Sequence, residues 1–320
     1  MRRTEDATGL AAVFLASLVL SSATVKGQAQ RPAPPTATPH KEELSESYRG
    51  SQQNNIEYQK VAPFKVFDNL HYVGPGFVSV WLIPTPDGLL LLDTAQEPYV
   101  DHVIDSIRKV GFDPRNIKYI VISHGHLDHF GGAARIQQLS GARVVALEED
   151  WELIEAAGGR PGRGNAPPPL VPKRDRVVKE GDALTLGNTT LKFYRHPGHT
   201  SGSLSTEFTV FDGGRPYTAF MFGGPGPRGG ETGAEQFLAS ANRVAQIPGI
   251  QVHVPVHSWL NDFPYTNGGI FERAQKLAQR KSGEPHPFVD PQSWQTWVKH
   301  VQEGAQKRLD EERRKAAAAK

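Results

Sequence analysis

The chain has 320 residues, of which 38% are hydrophobic and 22% are charged, a balance typical of a soluble folded protein rather than a disordered one. Its 36 basic and 34 acidic side chains leave a formal charge of +2, and no basic stripe interleaved with aromatics indicates nucleic-acid binding. The absence of cysteine excludes disulfides, cysteine nucleophiles and thiolate metal sites. Histidine and the carboxylates are therefore the side chains left for a transition-metal site.

The N-terminal segment has the order of residues that is typical of a secretory signal peptide. Met1–Arg3 carries two arginines, the apolar run Leu10–Leu20 follows, and small residues then offer cleavage after Ala23 or Ala29. We therefore assign residues 1–29 to a signal peptide and expect a periplasmic or secreted protein. An uncleaved membrane anchor is the alternative, but the apolar run is short for a span of ~20 residues.

The composition changes again after the signal peptide. Residues Arg31–His40 are rich in proline, alanine and threonine and are predicted to be a disordered linker. We assign residues 30–60 to this linker and an N-terminal extension, and residues 61–320 to one folded domain. No stable membrane association is expected once the signal peptide is removed.

From Val61 onwards, short apolar runs alternate with helical repeats. Strands are predicted at Leu70–Val73, Phe77–Ile83, Leu89–Leu92, Ile117–Ile122 and Ala142–Leu147. Apolar residues at helical spacing between Val100 and Val110 predict a helix that ends at Gly111, and a second helix is predicted for Phe130–Leu139. This alternation of strands and helices indicates an α/β layered domain.

The second half of the chain has the same alternation. Strands are predicted at Ala183–Leu186, Thr189–Tyr194, Leu204–Phe211, Pro216–Phe222 and Ile250–Val256, and helices at Ala234–Gln246, Gly268–Lys281 and Pro291–Lys315. Between the two halves, Gly158–Pro169 is rich in glycine and proline and has no periodicity. It is predicted to be a long loop, either functional or a mobile surface excursion.

Four potential metal ligands follow the buried strand Ile117–Ile122 within six residues. They are His124, His126, Asp128 and His129. Imidazole nitrogen and carboxylate oxygen are both zinc ligands. The alternating pair His124 and His126 can face one ion, and the next two side chains, at the start of a helix, can face a second. The chain contains twelve histidines, but the strand-to-turn context favours a metal site over chance clustering.

This stretch resembles the His-x-His-x-Asp-His signature of the metallo-β-lactamase superfamily, and three further motifs occur in the superfamily's order. Leu90–Asp93 is similar to its preceding strand that ends in aspartate, His196–Ser203 is similar to its Pro-Gly-His-Thr-x-Gly-Ser motif, and His257 follows a late strand. The resemblance extends from Val61 to the C-terminus. It implies an α/β fold, the four-layer αββα sandwich, in which loops at one edge of two mixed sheets hold the metals.

The same resemblance implies two zinc ions per chain and a ligand set for each. The first set is His124, His126 and His199, and the second set is Asp128, His129 and His257. Asp93 is expected to support the metal loop through hydrogen bonds. His196 and His253 are expected not to be ligands, because His196 precedes the Pro-Gly turn and His253 lies inside a strand.

A ligand set of five histidines and one aspartate is similar to that of subclass 3 of the class B β-lactamases. Subclass 1 uses a cysteine, which this chain lacks, and subclass 2 replaces the first histidine, which is present here as His124. Thioesterase-like hydrolases and lactonases use a Gly-Asp pair where this chain has Gly223-Gly224. Subclass 3 usually has a serine near this position, where the lactam carboxylate binds, and glycine cannot donate a side-chain hydrogen bond there.

The resemblance implies hydrolysis of a small-molecule ester or amide, and the β-lactam amide is the leading expectation. Two zinc ions would lower the pKa of a shared water toward ~7 and give a hydroxide. Asp128 would orient that hydroxide and can relay a proton to the leaving group. The alternatives are a hydrolase of lactones or other esters, a zinc-binding protein without catalysis, and an iron-dependent oxidoreductase.

Specificity is expected to come from loops at the edge of the sheets. These loops are Gly74–Phe77, Gly158–Pro169 and Gly223–Gly230. Arg160, Arg163 and Arg228 lie in two of them and can either meet an anionic substrate or remain solvated.

Overall fold

The computed structural model describes residues 43–161, 167–258 and 268–318. The predicted signal peptide, the proline-rich linker and Arg163 lie outside the described residues. Within them, two β-sheets face each other and helices cover their outer faces. The four-layer αββα sandwich expected from the sequence is confirmed.

The first sheet contains seven strands in chain order. They are β1 (Phe64–Phe67), β2 (Leu70–Tyr72), β3 (Trp81–Thr85), β4 (Gly88–Leu92), β5 (Ile117–Val121), β6 (Arg143–Leu147) and β7 (Arg176–Val178). The strand pairs from β1 to β4 are antiparallel and those from β4 to β7 are parallel. The parallel half needs crossover connections, and these supply the helices of one outer layer.

Six helices and one 3-10 turn belong to the described part of the first half of the chain. They are α1 (Leu44–Ser47), α2 (Ile56–Gln59), α3 (Val100–Lys109), the 3-10 turn Pro114–Asn116, α4 (Leu127–Phe130), α5 (Ala133–Ser140) and α6 (Glu148–Ala157). The predicted end of α3 is confirmed, since Gly111 follows with φ of 92° and donates its N–H to the carbonyl of Arg108.

The second sheet contains five strands in the order β12-β11-β10-β9-β8. They are β8 (Ala183–Leu186), β9 (Thr189–Arg195), β10 (Leu204–Asp212), β11 (Arg215–Met221) and β12 (Val252–His253). Only β11 and β12 pair in parallel, and the helix α7 (Gly230–Val244) connects them. Two further helices, α8 (Ile270–Gln279) and α9 (Pro291–Ala318), complete the described part of the chain.

Three apolar layers hold these elements together. The inner faces of the two sheets meet in a central core that includes Leu90 and Leu92 of β4 and Phe193 of β9. The alternate residues Leu89 and Leu91 point to the opposite face and pack against α3, α5 and α6. A third layer of aromatic side chains lies between the second sheet, α7 and α9. The continuous apolar run of β4 therefore belongs to a strand that is buried on both faces, as predicted.

Several predicted boundaries were wrong. The strand predicted from Phe77 begins only at Trp81, because the preceding segment makes isolated bonds such as that from the Ser79 N–H to the Val256 carbonyl. The helix predicted for Phe130–Leu139 is divided between α4 and α5, and the strand predicted for Ile250–Val256 is limited to β12. The strands β1 and β7 and the helix α6 were not predicted.

No helix in the described ranges is long and apolar enough to cross a bilayer.

Candidate metal centre

The candidate site begins where the central strands of the first sheet end. Asp93 directly follows β4 and adopts a φ of 60°, a left-handed conformation that is uncommon for residues other than glycine. Its carboxylate accepts hydrogen bonds from both the N–H and the hydroxyl of Ser123, each 2.7 Å long. Because Ser123 follows the neighbouring strand β5, these bonds fix the start of the segment that carries His124 and His126. The carboxyl ends of adjacent parallel strands are a common place for a site in α/β folds.

The structure brings the six predicted ligands together in two groups. The first group is His124, His126 and His199, and the second group is Asp128, His129 and His257. In the first group, His126 Nδ1 lies 3.1 Å from His199 Nε2. In the second, His129 Nε2 lies 3.3 Å from His257 Nε2 and 3.5 Å from Asp128 Oδ2. These are the same two sets that the family resemblance implied.

Four of the five imidazoles are oriented by a hydrogen bond from the nitrogen that faces away from the group. The acceptors are the Gly223 carbonyl for His124 (2.6 Å), the Gly226 carbonyl for His199 (2.8 Å), the Phe77 carbonyl for His257 (2.8 Å) and the Asp93 carboxylate for His129 (2.7 Å). Each bond places the proton on Nδ1 and leaves Nε2 as a lone pair directed into the group. Metal-binding histidines are commonly held in this way.

The donor set fits zinc. His124 Nε2 is buried and has no hydrogen-bond partner among the described residues, a situation that is costly unless something binds it. Two donors bonded at ~2.0–2.1 Å to one tetrahedral ion lie roughly 3.3 Å apart, close to the separations within these groups. Nitrogen and oxygen donors without sulfur also agree with a zinc site in a chain that contains no cysteine.

Burial keeps the histidines of the first group neutral. It lowers the pKa of His126 to about 4 and of His199 to about 3, and it lowers the pKa of the fully buried His124 well below its usual value. Neutral imidazole is the form that binds a metal ion. The first group is therefore prepared for a cation near neutral pH.

The second group is arranged to attract positive charge. Burial alone would lower the pKa of His129, but the neighbouring carboxylates of Asp128 and Asp93 outweigh it and raise that pKa. Burial would raise the pKa of Asp128, but His129 and His257 outweigh it and lower that pKa. Two carboxylates thus flank one imidazole, and a metal cation bound at this group would compensate their negative charge.

Both groups open onto one cavity of about 360 Å³. Five of the six candidate ligands line it, and Asp128 is the more exposed member of the second group, with 30% of its side chain accessible. The lining also includes Phe237 of α7 and Trp297 and Val301 of α9. The site therefore combines polar metal ligands with an apolar wall, as small-molecule sites commonly do.

A family model of the metallo-β-lactamase superfamily matches residues 73–210. Among solved structures, the chain is similar to BJP-1, a subclass B3 metallo-β-lactamase of Bradyrhizobium japonicum. The identity is 32%, the match covers 83% of this chain and 99% of that one, and the TM-score is 0.67. The chain belongs to the metallo-β-lactamase superfamily.

Other relatives agree with this family. The native FEZ-1 metallo-β-lactamase from Legionella gormanii is 26% identical, with 79% of this chain and 97% of that one covered and a TM-score of 0.69. A hydroxyacylglutathione hydrolase of Maricaulis maris is 31% identical over 109 residues, which are 34% of this chain and 35% of that protein. A probable metallo-hydrolase of Bacillus subtilis is 28% identical over 39% of this chain and 54% of that protein. The chain thus spans a third to a half of these curated relatives, and we place it among the metallo-hydrolases of the superfamily.

Neither His196 nor His253 lies in either group. His196 is buried, and its Nδ1 lies 2.7 Å from the Ser205 hydroxyl, which also accepts the N–H of Gly223 at 3.0 Å. The Gly223 carbonyl in turn accepts the hydrogen bond of His124. His196 therefore supports the orientation of His124 indirectly, through Ser205 and Gly223. His253 lies in β12, where its ring is 4.2 Å from that of Trp297.

Asp150 is a site residue that the sequence analysis missed. It lies in the first turn of α6, which follows β6, and is 1% exposed. Its carboxylate accepts the N–H of Gly125 at 2.7 Å, the hydroxyl of Thr200 at 2.8 Å and the N–H of Gly202 at 3.1 Å. Burial raises its pKa to about 6, although these three hydrogen bonds oppose the rise. Asp150 thereby joins the segment of His124 and His126 to the turn that carries His199.

The glycine pair after β11 is a consequence of close backbone packing. A Cβ atom at Gly223 would lie 2.1 Å from the Leu204 carbonyl oxygen, and one at Gly224 would lie 2.6 Å from Cβ of His199. Neither separation is possible for real atoms, so no side chain fits at either position without a shift of the backbone. The serine usual in subclass 3 is therefore excluded here by the neighbouring strand β10 and by His199, a candidate metal ligand.

We expect Gly223→Ser to destabilise the protein by about 3 kcal/mol or more, because overpacking against backbone cannot be relieved by a side-chain rotation. The free energy of unfolding in urea measures this cost. Pro225→Ser, two residues further along the same loop, is the matched control and should remain folded. A Gly223→Ser protein as stable as the unmodified protein would show that β10 can move.

The arginines of the predicted specificity loops have different positions. Arg228 lines the cavity, whereas Arg160 is exposed and is not among the described residues that line it. Arg49, in the segment that the sequence assigned to the N-terminal extension, also lines the cavity. No motif marked Arg49, since its position depends on how residues 43–60 pack on the domain.

Proposed function

We propose that the protein is a zinc-dependent hydrolase that opens the amide ring of β-lactams. The observation that carries this proposal is the pair of donor groups, five histidines and one aspartate, of which five members line one cavity. The similarity to BJP-1 over nearly the whole of that subclass B3 enzyme supports the choice of substrate.

Zinc bound at the two groups would supply a Lewis acid for the carbonyl and lower the pKa of water toward ~7. The chain's own residues prepare the site for this chemistry. Asp93 and the backbone carbonyls of Gly223, Gly226 and Phe77 hold the histidines in one tautomer. Asp128, with its carboxylate partly exposed to the cavity, is placed to accept a proton and pass it to the leaving nitrogen.

A hydrolase of lactones or other esters is the second candidate. Two observations favour it: hydroxyacylglutathione hydrolases are among the curated relatives, and the glycine pair cannot be replaced by the serine that is usual in subclass 3. The same donor groups serve either reaction, because both cleave an acyl bond at a polarised carbonyl.

The deciding experiment measures hydrolysis of a chromogenic cephalosporin and of a panel of lactones and thioesters by the zinc-loaded protein, with and without a chelator. Chelator-sensitive cephalosporin turnover supports the first candidate. Turnover of esters alone supports the second, and a protein with two zinc ions that hydrolyses nothing contradicts both.

We also propose that the protein is exported to the periplasm. N-terminal sequencing of the periplasmic product tests this proposal, which expects the product to begin after Ala23 or Ala29.

A further inference from the structure

We infer that Tyr48 is a positioning residue that holds His257 in the second metal group. It acts through the loop Gly74–Phe77, since the Phe77 carbonyl orients the His257 ring. Tyr48 lies in the stretch that the sequence assigned to an N-terminal extension, where no motif marked it. The inference rests on the metal binding that the proposed function requires, and it adds a residue that controls one of the two metal positions.

The ring of His257 is held by the loop Gly74–Phe77. Its Nδ1 donates to the Phe77 carbonyl at 2.8 Å, and its Nε2 faces the other donors of the second group. The adjacent Gly76 carbonyl accepts the hydroxyl of Ser258, the residue that follows His257. Two consecutive carbonyls of the loop thus bind the candidate ligand and its neighbour. A shift of the loop would therefore turn the imidazole away from the group.

The side chain of Tyr48 covers this loop. A Cβ atom at Gly76 would lie 1.8 Å from Tyr48 Cδ1, and the three atoms closest to it all belong to the Tyr48 ring. The φ of Gly76 is not positive, so the glycine is needed for space and not for an unusual backbone conformation. Tyr48 is 6% exposed, and its ring centroid lies 4.6 Å from that of Phe271 in α8. The ring is therefore packed between α8 and the loop.

A buried glutamine bonds the same two segments together. The Gly76 N–H donates to the Gln59 carbonyl at 2.8 Å. The side-chain amide of Gln59 donates to the carbonyls of Tyr48, at 2.7 Å, and of Gln52, at 3.0 Å. Residues 48–59 thus form a closed turn that contacts the loop through both a hydrogen bond and the Tyr48 ring.

This turn is fixed to the domain at a point away from the loop. The Ser45 N–H donates to the Glu272 carboxylate at 2.7 Å, and the Ser45 hydroxyl accepts the N–H of Phe271 at 3.1 Å. These bonds set the position of Tyr48 independently of the loop. The ring therefore acts as a fixed support on which the loop rests.

The first metal group is oriented from another part of the chain. His124 and His199 donate to the carbonyls of Gly223 and Gly226, which follow β11. Loss of the Tyr48 ring should therefore weaken metal binding at the second group alone. This selectivity distinguishes a positioning role from a general contribution to stability, which would not discriminate between the two groups.

Zinc titration of the metal-free protein against a chromophoric chelator gives the dissociation constants of the two positions. Tyr48→Ala removes the ring and Tyr48→Phe keeps it. Gly76→Ala displaces the ring without removing it, in case loss of a buried aromatic side chain prevents folding. Ile56→Ala, exposed on α2 in the same segment, is the matched control. The same titration of His257→Ala, which lacks a ligand of the second group, identifies the constant that belongs to that group.

We expect Tyr48→Ala and Gly76→Ala to weaken zinc binding at the second group about tenfold or more and to leave the first group unchanged. Groups that orient a metal ligand change metal affinity by ~10–100-fold when removed. Tyr48→Phe and Ile56→Ala should bind both ions as the unmodified protein does. Once Tyr48→Ala is present, Gly76→Ala should have no further effect, because the ring that it displaces is absent. Variants that weaken both positions equally, or neither, overturn the positioning role.

Hydrogen exchange gives a second readout, because coupling between two sites is reciprocal. Zinc at the second group should slow exchange of the Gly76 N–H, which donates to the Gln59 carbonyl, and should slow it less in Tyr48→Ala. Exchange that zinc does not slow contradicts the inference. Neither measurement uses turnover. A protein that shows both effects but hydrolyses no cephalosporin or ester retains the positioning role and contradicts the proposed function.

Discussion

His199→Ala is expected to lower kcat/KM for the substrate that the protein hydrolyses by about 1,000-fold or more, and to reduce the zinc content of the proposed two-zinc enzyme to one ion per chain. His199 shares the first group with His124 and His126, and its donor atom lies 3.1 Å from that of His126. With only two of its three protein ligands, the first group is expected to bind zinc too weakly to retain it. A catalytic metal ion supplies several kcal/mol of transition-state stabilisation, which would then be lost. A loss of ~4 kcal/mol corresponds to about 1,000-fold in rate.

Elemental analysis and steady-state kinetics on the same preparation check this expectation. His257→Ala, which removes a ligand of the second group, separates the roles of the two positions. His102→Gln on α3 is the control for changing a histidine outside both groups and should retain two zinc ions and full activity. If His199→Ala keeps both its zinc content and its kcat/KM, then His199 is not a ligand.

The clustering of the candidate donors could be predicted from the sequence because most of these donors are local. His124, His126, Asp128 and His129 lie within six residues on one turn, and the chemistry of the residue types is itself informative. His199 and His257 were assigned through the order of the family motifs, and the structure places both beside the local cluster. The strand β4 could also be predicted from the sequence, because a strand that is buried on both faces needs an unbroken run of apolar residues.

The residues that the sequence did not reveal act through tertiary contacts. Asp150 lies 25 residues from Gly125 and 50 from Thr200, and nothing in its local sequence distinguishes it from the acidic residues before it. Arg49 reaches the cavity through the packing of its segment on the domain, which includes the contact of Tyr48 with Phe271 of α8. The helix α6 was missed for a related reason: its apolar face is short, with Trp151 and Ile154 as its buried apolar residues.

Asp150→Ala is expected to weaken zinc binding by about 10–100-fold and to lower the free energy of unfolding by roughly 2–4 kcal/mol. The substitution leaves three donors without their acceptor, namely the N–H groups of Gly125 and Gly202 and the hydroxyl of Thr200. Unsatisfied buried donors cost ~1–3 kcal/mol each before relaxation. Groups that orient metal ligands typically change metal affinity by ~10–100-fold when removed.

Asp150→Asn should fall between the alanine variant and the unmodified protein. One carboxylate oxygen accepts from Gly125 and Thr200 and the other from Gly202, so an amide in either orientation turns an NH2 group toward a donor. Competition with a chromophoric zinc chelator and urea unfolding measure the two effects. Glu149→Ala is the matched control, because the partly exposed pair of Glu149 with Arg195 contributes less than ~1 kcal/mol. Unchanged zinc affinity in Asp150→Ala would mean that the two ligand segments hold their positions without the carboxylate that joins them.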